Sequence, residues 1–375
     1  MAGGKAGSIA LALALALAGD AAMAVTIVDH AAARRATTTA AVKAIDASLE
    51  VLAKQKRTDD LARQLDLLAH DRALAGVARE WLLDRGLHAL ARLSPTPRSS
   101  ATVQRLTRRP ALVYARIDPD HGEHVAPLYD TGATARFVLR MWERRAARDA
   151  ALLDLAAGRA STVARFAARP ATASLDSTRA GIADAFASAE LQLLALQRAA
   201  IVDAIARGAR VDEIALVVAQ RLADAALYRL VLGHADEPVA LAAVASISTT
   251  LDPQTAFDEL ALAARRADIS SAAILAIGRL AKNDAVARRF LLDALHERDL
   301  GPSAAAALAA IGDPANAGEL GRRLAGAQME LSRRHLVLAL KLDRSAAARV
   351  ELEQFAASRA GSDELQAEVR QWLAN

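Results

Sequence analysis

The densest group of chemically versatile side chains lies in the stretch RIDPDHGEHVAPLYD, residues 116–130. Carboxylates and imidazoles are common ligands of first-row metal ions, and two histidines three residues apart could face one ion. Their spacing matches neither the His-Glu-x-x-His helix nor the calcium loop closed by a twelfth-position Glu. A solvated turn and a pH-responsive or partner-contacting loop are therefore the alternatives, and the sequence assigns no metal. The candidate metal ligands are Asp118, Asp120, His121, Glu123 and His124.

Arginine pairs form a second pattern, at 265–266, 288–289, 322–323 and 333–334. The pairs that begin at Arg288 and Arg322 are 34 residues apart, so their guanidinium groups could grip carboxylates or phosphates along one surface. Solvated helix faces give the same pattern, and exposed ion pairs contribute little energy. The neighbouring carboxylates that could neutralise these arginines are Asp258, Glu259, Asp293 and Glu319.

Aromatic residues are rare, at 3% of the chain, so each one is informative. The three tryptophans, Trp81, Trp142 and Trp372, lie at helical core spacings, although an exposed tryptophan would be a good interface anchor. Together with the arginine pairs, the aromatic side chains near residues 116–130 complete the set of candidate protein-binding residues. That set contains Arg288, Arg289, Arg322, Arg323, Tyr114, Tyr129 and Trp142.

Composition excludes several classes of protein. The chain has 375 residues, of which 53% are hydrophobic and 24% charged, so it contains enough apolar material to fold. The absence of cysteine excludes disulfides, thiolate metal sites and thiol nucleophiles. A net charge of +4 is too small for a nucleic-acid binder. We find no Gly-x-Ser-x-Gly elbow, phosphate-binding glycine loop or dinucleotide fingerprint, and the sequence predicts neither an enzyme nor a cofactor.

The first 24 residues resemble a bacterial secretory signal peptide. Lys5 precedes an apolar run of about ten residues, Ile9 to Ala18, and Ala22-Met23-Ala24 has the small-x-small pattern of a cleavage site. The run is shorter than the roughly 18–20 residues that a spanning helix needs, and no later run reaches that length. We therefore expect cleavage after Ala24, no stable membrane span in the mature chain, and a location in the periplasm or outside the cell.

Beyond this leader the apolar residues recur at helical spacing, interrupted near residues 95–130 by five of the ten prolines. Residues 111–117 could form a short strand, and the Asp-Pro-Asp-His-Gly sequence that follows is typical of a turn. These patterns predict helices from Val25 to Leu93, an irregular or hairpin insert near residues 110–130, and helices again from about Thr131 to the C-terminus.

An internal repeat occupies the C-terminal part of the chain. The segments LAAVASIS, SAAILAIG, AAALAAIG and RHLVLALK resemble one another, and their aligned apolar residues are 30, 34 and 30 residues apart. Each segment is followed by a turn that carries Asp and by a second helix, so each unit is a helical hairpin that must stack on its neighbours to bury its apolar stripe. The aligned apolar column contains Val244, Ile274, Leu308 and Leu338, and a second column contains Ile247, Ile277, Ile311 and, as a polar C-terminal cap would show, Lys341.

The segment AALAAIGDPANAGELGRRL, residues 306–324, resembles a bacterial HEAT repeat of the short, phycocyanobilin-lyase-like type. The resemblance covers about residues 236–360 and implies an α-solenoid that binds proteins on one face; such motifs are structural and carry no catalytic residue. The second copy departs from the pattern by lacking proline at Asp284, and the fourth departs by having Lys341.

These observations predict an all-α fold, an α-solenoid of stacked helical hairpins. We expect a signal peptide (1–24), N-terminal helical hairpins (25–94), a Pro-rich loop or short hairpin insert (95–130), a helical segment of divergent repeats (131–235) and a HEAT-like array (236–375). The predicted function is a non-catalytic scaffold or adaptor for another envelope or secreted protein. The alternative is a metal-dependent or lyase-type auxiliary enzyme that uses the loop at 116–130.

Overall fold

The computed structural model of the protein describes residues 25–117, 124–169, 176–358 and 360–374. These residues form 20 α-helices and one small three-stranded sheet, and the helices pack on their neighbours in the manner of a solenoid. The predicted all-α fold is thereby confirmed. The predicted signal peptide, residues 1–24, lies outside the described residues.

The chain divides into two compact units, of which the first extends to Glu143. Its apolar core is formed mainly by leucines of the second to fourth helices. The elements of this unit are β1 (Thr26–Val28), α1 (His30–Thr37), α2 (Ala40–Lys54), α3 (Thr58–His70), α4 (Gly76–Ala91), α5 (Pro97–Leu106), β2 (Val113–Ile117), β3 (His124–Tyr129) and the first half of α6 (Thr131–Ala156).

The sheet confirms the predicted hairpin and adds one strand. β2 and β3 are antiparallel, and β1 pairs in parallel with β2 through Ile27 and Tyr114. The sequence predicts helix from Val25 onward, and the structure differs because Thr26, Ile27 and Val28 are β-branched residues that favour an extended backbone.

Helix α5 lies inside the Pro-rich stretch for which the sequence predicts a loop or hairpin. Thr96 caps this helix and forms a reciprocal capping box with Ser99, and Pro97 occupies the first turn. A proline suits that position because its missing N–H would have no partner there. The prolines at 95 and 97 therefore start a helix as well as ending the one before it.

The second unit begins at Arg144 and is wholly helical in its described residues. After the second half of α6 its helices are α7 (Ser161–Ala167), α8 (Ser177–Ser188), α9 (Leu191–Ala206), α10 (Asp212–Leu222), α11 (Ala225–His234), α12 (Glu237–Thr250), α13 (Pro253–Ala263), α14 (Ser270–Ala281), α15 (Ala285–Ala294), α16 (Gly301–Ala309), α17 (Pro314–Gly326), α18 (Glu330–Asp343), α19 (Ala346–Ala357) and α20 (Asp363–Ala374).

These helices stack in two layers. In the first layer, α8, α10, α12, α14, α16 and α18, each helix packs on the next helix of that layer. The second layer is formed by α7, α9, α11, α13, α15, α17 and α19, and its members pack on the first layer. One continuous apolar core runs between the layers from Ala151 to Val369. Each hairpin therefore buries its apolar stripe against its neighbours in sequence, as a helical-repeat array requires.

The repeat columns are buried as predicted in three copies and shifted in the fourth. Ile247, Ile274 and Ile277 have no solvent exposure. In α18 the buried residues include Val337 and Leu340, each 1% exposed, whereas Leu338 is half-buried and Lys341 is exposed. The fourth copy is therefore aligned one residue earlier than the sequence indicates. Lys341 lies outside the core, with its ammonium 3.3 Å from the ring centre of Trp372.

Aspartates cap the second helix of the hairpins at the turns that the sequence identifies. The Asp252 carboxylate accepts from the Thr255 N–H at 3.0 Å, and Asp284 and Asp313 accept from N–H groups of α15 and α17 in the same way. In the last hairpin Ser345 caps α19, while Asp343 accepts from the Ser345 N–H. An N-cap satisfies an N–H group that the helix leaves unpaired, so these residues fix where each second helix begins.

Candidate functional site

The predicted metal-ligand group lies between β2 and β3. Asp118, Asp120, His121 and Glu123 are outside the described residues, and the His124 backbone pairs with Ile117 at the end of the hairpin. Within the described ranges there is no group of three or more His, Asp or Glu side chains arranged to hold a metal ion.

The two tyrosines flanking that loop are half-buried. Tyr114 pairs with Pro127 across the hairpin, and Tyr129 pairs with Val113 beside a small apolar cluster that includes Ala33 and Val77. Burial raises the pKa of the Tyr129 hydroxyl, and the negative charge of Asp84 raises it further. Tyr129 therefore remains a neutral phenol in the physiological range and could serve as a hydrogen-bonding group.

Trp142 belongs to the core of the first unit. Its side chain is buried, and its indole N–H donates to the Leu90 carbonyl at 3.2 Å and to the Leu93 carbonyl at 2.9 Å. Both carbonyls lie at the C-terminal end of α4, so Trp142 satisfies acceptors that the helix leaves unpaired. This position offers no surface to a partner and gives Trp142 a structural role.

The arginine pair of α15 contains one packed and one exposed residue. The Arg288 guanidinium donates to the Ala281 carbonyl at 3.3 Å and to the Lys282 carbonyl at 3.2 Å, at the end of α14. Arg289 is exposed and has no partner among the described residues. Arg288 thus connects two helices, and Arg289 is available to solvent or to a ligand.

In the pair of α17, both arginines bind the same carboxylate. Arg322 donates to Glu319 at 2.7 Å, Arg323 donates to it at 2.9 Å, and Arg323 also lies 3.6 Å from Asp293. The hydrogen bonds from Arg323 and Arg322 lower the pKa of Glu319. The two arginines of α17 are therefore neutralised largely by Glu319 of their own helix.

Other arginines have a role that the sequence analysis missed. Arg266 donates to the carbonyls of Leu232 and Ala235, both at 2.7 Å, at the end of α11 in the preceding hairpin. Arg333 donates to the Ala327 carbonyl at 2.6 Å, just after α17. In three of the four pairs one arginine thus reaches unpaired helix carbonyls, whereas both arginines of the pair at 322–323 bind Glu319. The adjacent position of two arginines is a signal for this role, but it does not show which member turns inward.

Two histidines join α18 to the end of α15. The His335 ring is buried, with Nδ1 2.9 Å from the Leu295 carbonyl oxygen, and His296 Nδ1 lies 2.9 Å from Ser332 Oγ. A serine beside a histidine is the pairing that activates a nucleophile. Ser332 is, however, only 1% exposed, so the contact has a structural role and connects α18 to the end of α15.

Three neighbouring helices of the first layer, α12, α14 and α16, contain few charged residues. Among the first-layer helices, α12 contains Glu237, α14 contains Arg279, and α16 contains no charged residue. The second-layer helices α13, α15 and α17 contain two, three and three charged residues.

Comparison of the chain with protein-family models, with curated proteins and with solved structures finds no match.

Within the described ranges, no helix is both long enough and apolar enough to cross a membrane.

Proposed function

We propose that the protein is a non-catalytic, protein-binding scaffold or adaptor of the cell envelope. The observation that carries this proposal is the two-layer stack of α7 to α19, in which hairpins contact neighbouring hairpins and the outer surface of each layer stays open. Such stacks present long, rigid surfaces, and rigidity lowers the ordering cost of binding. The proposed partner is another envelope or secreted protein.

We assign the array to the HEAT type of helical repeat as part of this proposal. The supporting features are the apolar first helix, the Gly-Asp-Pro turn at 312–314 and the Leu-bearing second helix in residues 306–324. The aspartate caps at Asp252, Asp284 and Asp313 repeat the same hairpin design in three consecutive units. Binding by shape is what this design favours, because it places helix faces side by side.

Exposed apolar side chains could supply binding energy on both layers. Leu275 of α14 is 48% exposed and Leu262 of α13 is 43% exposed, while Val286 and Val350 are also open to solvent. Single exposed leucines are normal on any protein, so they support a binding surface only where they are grouped.

The binding function is tested by affinity capture. The mature chain, residues 25–375, is immobilised and exposed to envelope extract, and bound proteins are quantified by mass spectrometry. We expect a small set of envelope proteins whose capture is abolished by excess free mature chain, and whose purified forms bind it directly. If capture is not reduced by the free chain, or no captured protein binds when purified, the scaffold function is wrong.

Export is tested separately. The full chain is expressed in a Gram-negative bacterium, and the protein from the periplasm and medium is sequenced from its N-terminus. We expect Val25-Thr26-Ile27, because the proposed leader ends at Ala24. A chain that retains Met1 and stays with the cytoplasmic fraction would contradict the assignment.

A further inference from the structure

We infer that the leader, residues 1–24, packs on the outer face of the small sheet and covers it for as long as it remains attached to the chain. The inference goes beyond the proposed binding function and does not require it. Only the step that uncovers the face, cleavage after Ala24, rests on the proposed export. We define the outer sheet face as the side chains on the side of the sheet opposite its small apolar cluster: Val25, Ile27, Tyr114, Val125 and Pro127.

Strand pairing brings the members of the outer sheet face together. Ile27 of β1 lies opposite Tyr114 of β2, and Tyr114 lies opposite Pro127 of β3, so these three side chains form a row across the sheet. Val125 precedes Pro127 by two residues and therefore points to the same side. The intervening side chains of the strands pack on the opposite side, against α1 and α4.

The outer sheet face is apolar where water favours polar side chains. A sheet with one solvated face normally alternates apolar residues inside with polar residues outside. Here Ile27 is 54% exposed, Val125 is 45% exposed and Pro127 is also exposed. Arg116, which lies opposite Val125, supplies a charge at the margin. Exposed apolar side chains that are grouped in this way are typical of a contact surface, and no element of the described residues covers them.

The leader is the segment that joins this face directly. It lies outside the described residues, it ends at Ala24, and the next residue, Val25, belongs to the outer sheet face. The six residues 19–24 separate Val25 from the apolar run Ile9 to Ala18. Extended, they span up to about 20 Å, whereas three strands are about 10 Å across. The run can therefore reach the whole face, at the roughly millimolar local concentration that a short tether provides.

The chemistry of the apolar run matches that of the face. The run consists of Ile, Leu and Ala and contains no charge, so packing it on Ile27 and Val125 removes apolar area of both surfaces from water. Leu and Ala are strong helix formers, and a helix pairs its own backbone groups, which the face of a sheet cannot do for it. In a helix, Ile9, Leu13 and Leu17 form one apolar stripe at four-residue spacing.

The size of the outer sheet face favours a tethered segment over a second copy of the chain or a separate protein. Three strands that are about 4.8 Å apart and up to about 20 Å long present on the order of 300 Å². A stable complex of two folded proteins buries about 800 Å² on each partner. A ten-residue helix is about 15 Å long, so it fits along the two longer strands. The face is therefore too small to hold an untethered protein, but it is large enough for the leader.

The accessibility of a dye in the full and mature chains tests this inference. Because the chain has no cysteine, Arg116→Cys places one dye beside Val125 and leaves every member of the outer sheet face unchanged. The full chain, residues 1–375, is made by cell-free synthesis so that the leader stays attached, and the mature chain, residues 25–375, is the reference. We expect iodide to quench the dye at least about twofold less in the full chain, because the tether keeps the leader on the face.

Matched variants identify the two sides of the contact. Ile27→Asp should abolish the difference between the full and mature chains, whereas Val51→Asp, at a similarly exposed position of α2, should preserve it. In the leader, Leu13→Asp should abolish the difference and Lys5→Gln, outside the apolar run, should not. A dye attached through Val350→Cys in the second unit should be quenched equally in both chains. Thermal melts by circular dichroism should show that each variant folds like its parent.

The inference is overturned if iodide quenches the dye equally in the full and mature chains, or if Val51→Asp removes the difference as completely as Ile27→Asp does. Protection that increases with protein concentration also overturns it, because a tethered contact does not depend on concentration. These outcomes are separate from those for export and for capture. A protected dye supports the inference even if N-terminal sequencing finds no cleavage, and loss of competable capture by the mature chain contradicts the scaffold function alone.

Discussion

At the scale of single residues, arginine has two separate roles in the repeats. Arg266, Arg288 and Arg333 turn inward and donate to carbonyls at helix ends, while Arg289 points to solvent. A guanidinium carries five donors in a fixed fork, which suits it to the several unpaired carbonyls of a helix end. Many of the arginines that suggest an anion-binding surface in the sequence are therefore part of the fold.

The arginine pair of α15 predicts that two adjacent substitutions affect stability to different extents. Arg288→Ala removes the donors to the Ala281 and Lys282 carbonyls and should lower the free energy of unfolding by about 1 kcal/mol, since both bonds are partly exposed. Arg289→Ala should change it by less than about 0.5 kcal/mol. Urea unfolding followed by circular dichroism measures both. Equal destabilisation by the two variants would refute the division of roles.

The burial of Asp212 predicts that the stability of the protein depends on pH. Burial raises the pKa of Asp212, and the charge of Glu213 raises it further. The ionised carboxylate is therefore unfavourable in the folded chain, and stability falls as the pH rises from the unfolded value of about 3.9 through the raised folded pKa. Asp212→Asn should stabilise the protein at pH 7, and this gain should disappear below about pH 4.

Glu213→Gln is the matched control for that prediction. Glu213 accepts from the buried Arg179, with Nε 3.3 Å from Oε1, so its neutralisation should destabilise the protein at pH 7 by about 1–2 kcal/mol after allowance for the exposure of Glu213. Thermal melts between pH 3 and 8 compare the two variants. If Asp212→Asn is destabilising at pH 7, the burial argument does not hold.

At the scale of elements, the sequence predicts those helices, strands and turns that depend on the local spacing of residues. The hairpin β2–β3, the two-helix repeats and the turns at Asp252 and Asp313 follow from periodicity and turn chemistry. Strand β1 does not, because Thr26–Val28 is only three residues long and its partner, β2, is more than eighty residues away. Local pattern contains no information about such a partner.

The shift of the fourth repeat has a similar cause. RHLVLALK contains Leu336, Val337, Leu338 and Leu340, so an apolar pattern fits either of two registers. Packing on α16 selects Val337 and Leu340, and the sequence alone offers no means of choosing. Alanine is ambiguous for a related reason: it fits both a core and a surface, and only the structure shows that Ala242 and Ala245 are exposed.

Close packing between helices predicts the effect of two glycine substitutions. A Cβ at Gly181 of α8 would lie 2.1 Å from the Arg144 carbonyl oxygen of α6, so Gly181→Ala should destabilise the second unit by about 1–3 kcal/mol. Gly233 of α11 has open space around it, and Gly233→Ala should be neutral or stabilise by up to about 1 kcal/mol through helix propensity. Urea unfolding compares them, and a stabilising Gly181→Ala would show that the helices are not this close.

At the scale of the whole molecule, the described residues form two large cores with no residue in common. The core of the first unit contains residues between Val42 and Trp142, and the core of the second contains residues between Ala151 and Val369. Residues that are buried in one core unfold together. Because the two cores share no residue, the two units are expected to unfold in separate transitions.

The distribution of tryptophan allows the two transitions to be separated. Trp81 and Trp142 lie in the first unit and Trp372 in the second. In a Trp372→Phe chain, fluorescence therefore reports the first unit, while circular dichroism reports all helices. In urea, we expect the fluorescence transition to differ from the circular dichroism transition. Leu83→Ala should shift the fluorescence transition to lower urea, and Ile277→Ala should shift the remaining dichroism transition to lower urea. Each should lower the free energy of unfolding of its unit by about 2–5 kcal/mol, because both side chains are fully buried. If each substitution moved both signals equally, the chain would unfold as one cooperative body, and the repeat array would depend on the first unit for its stability.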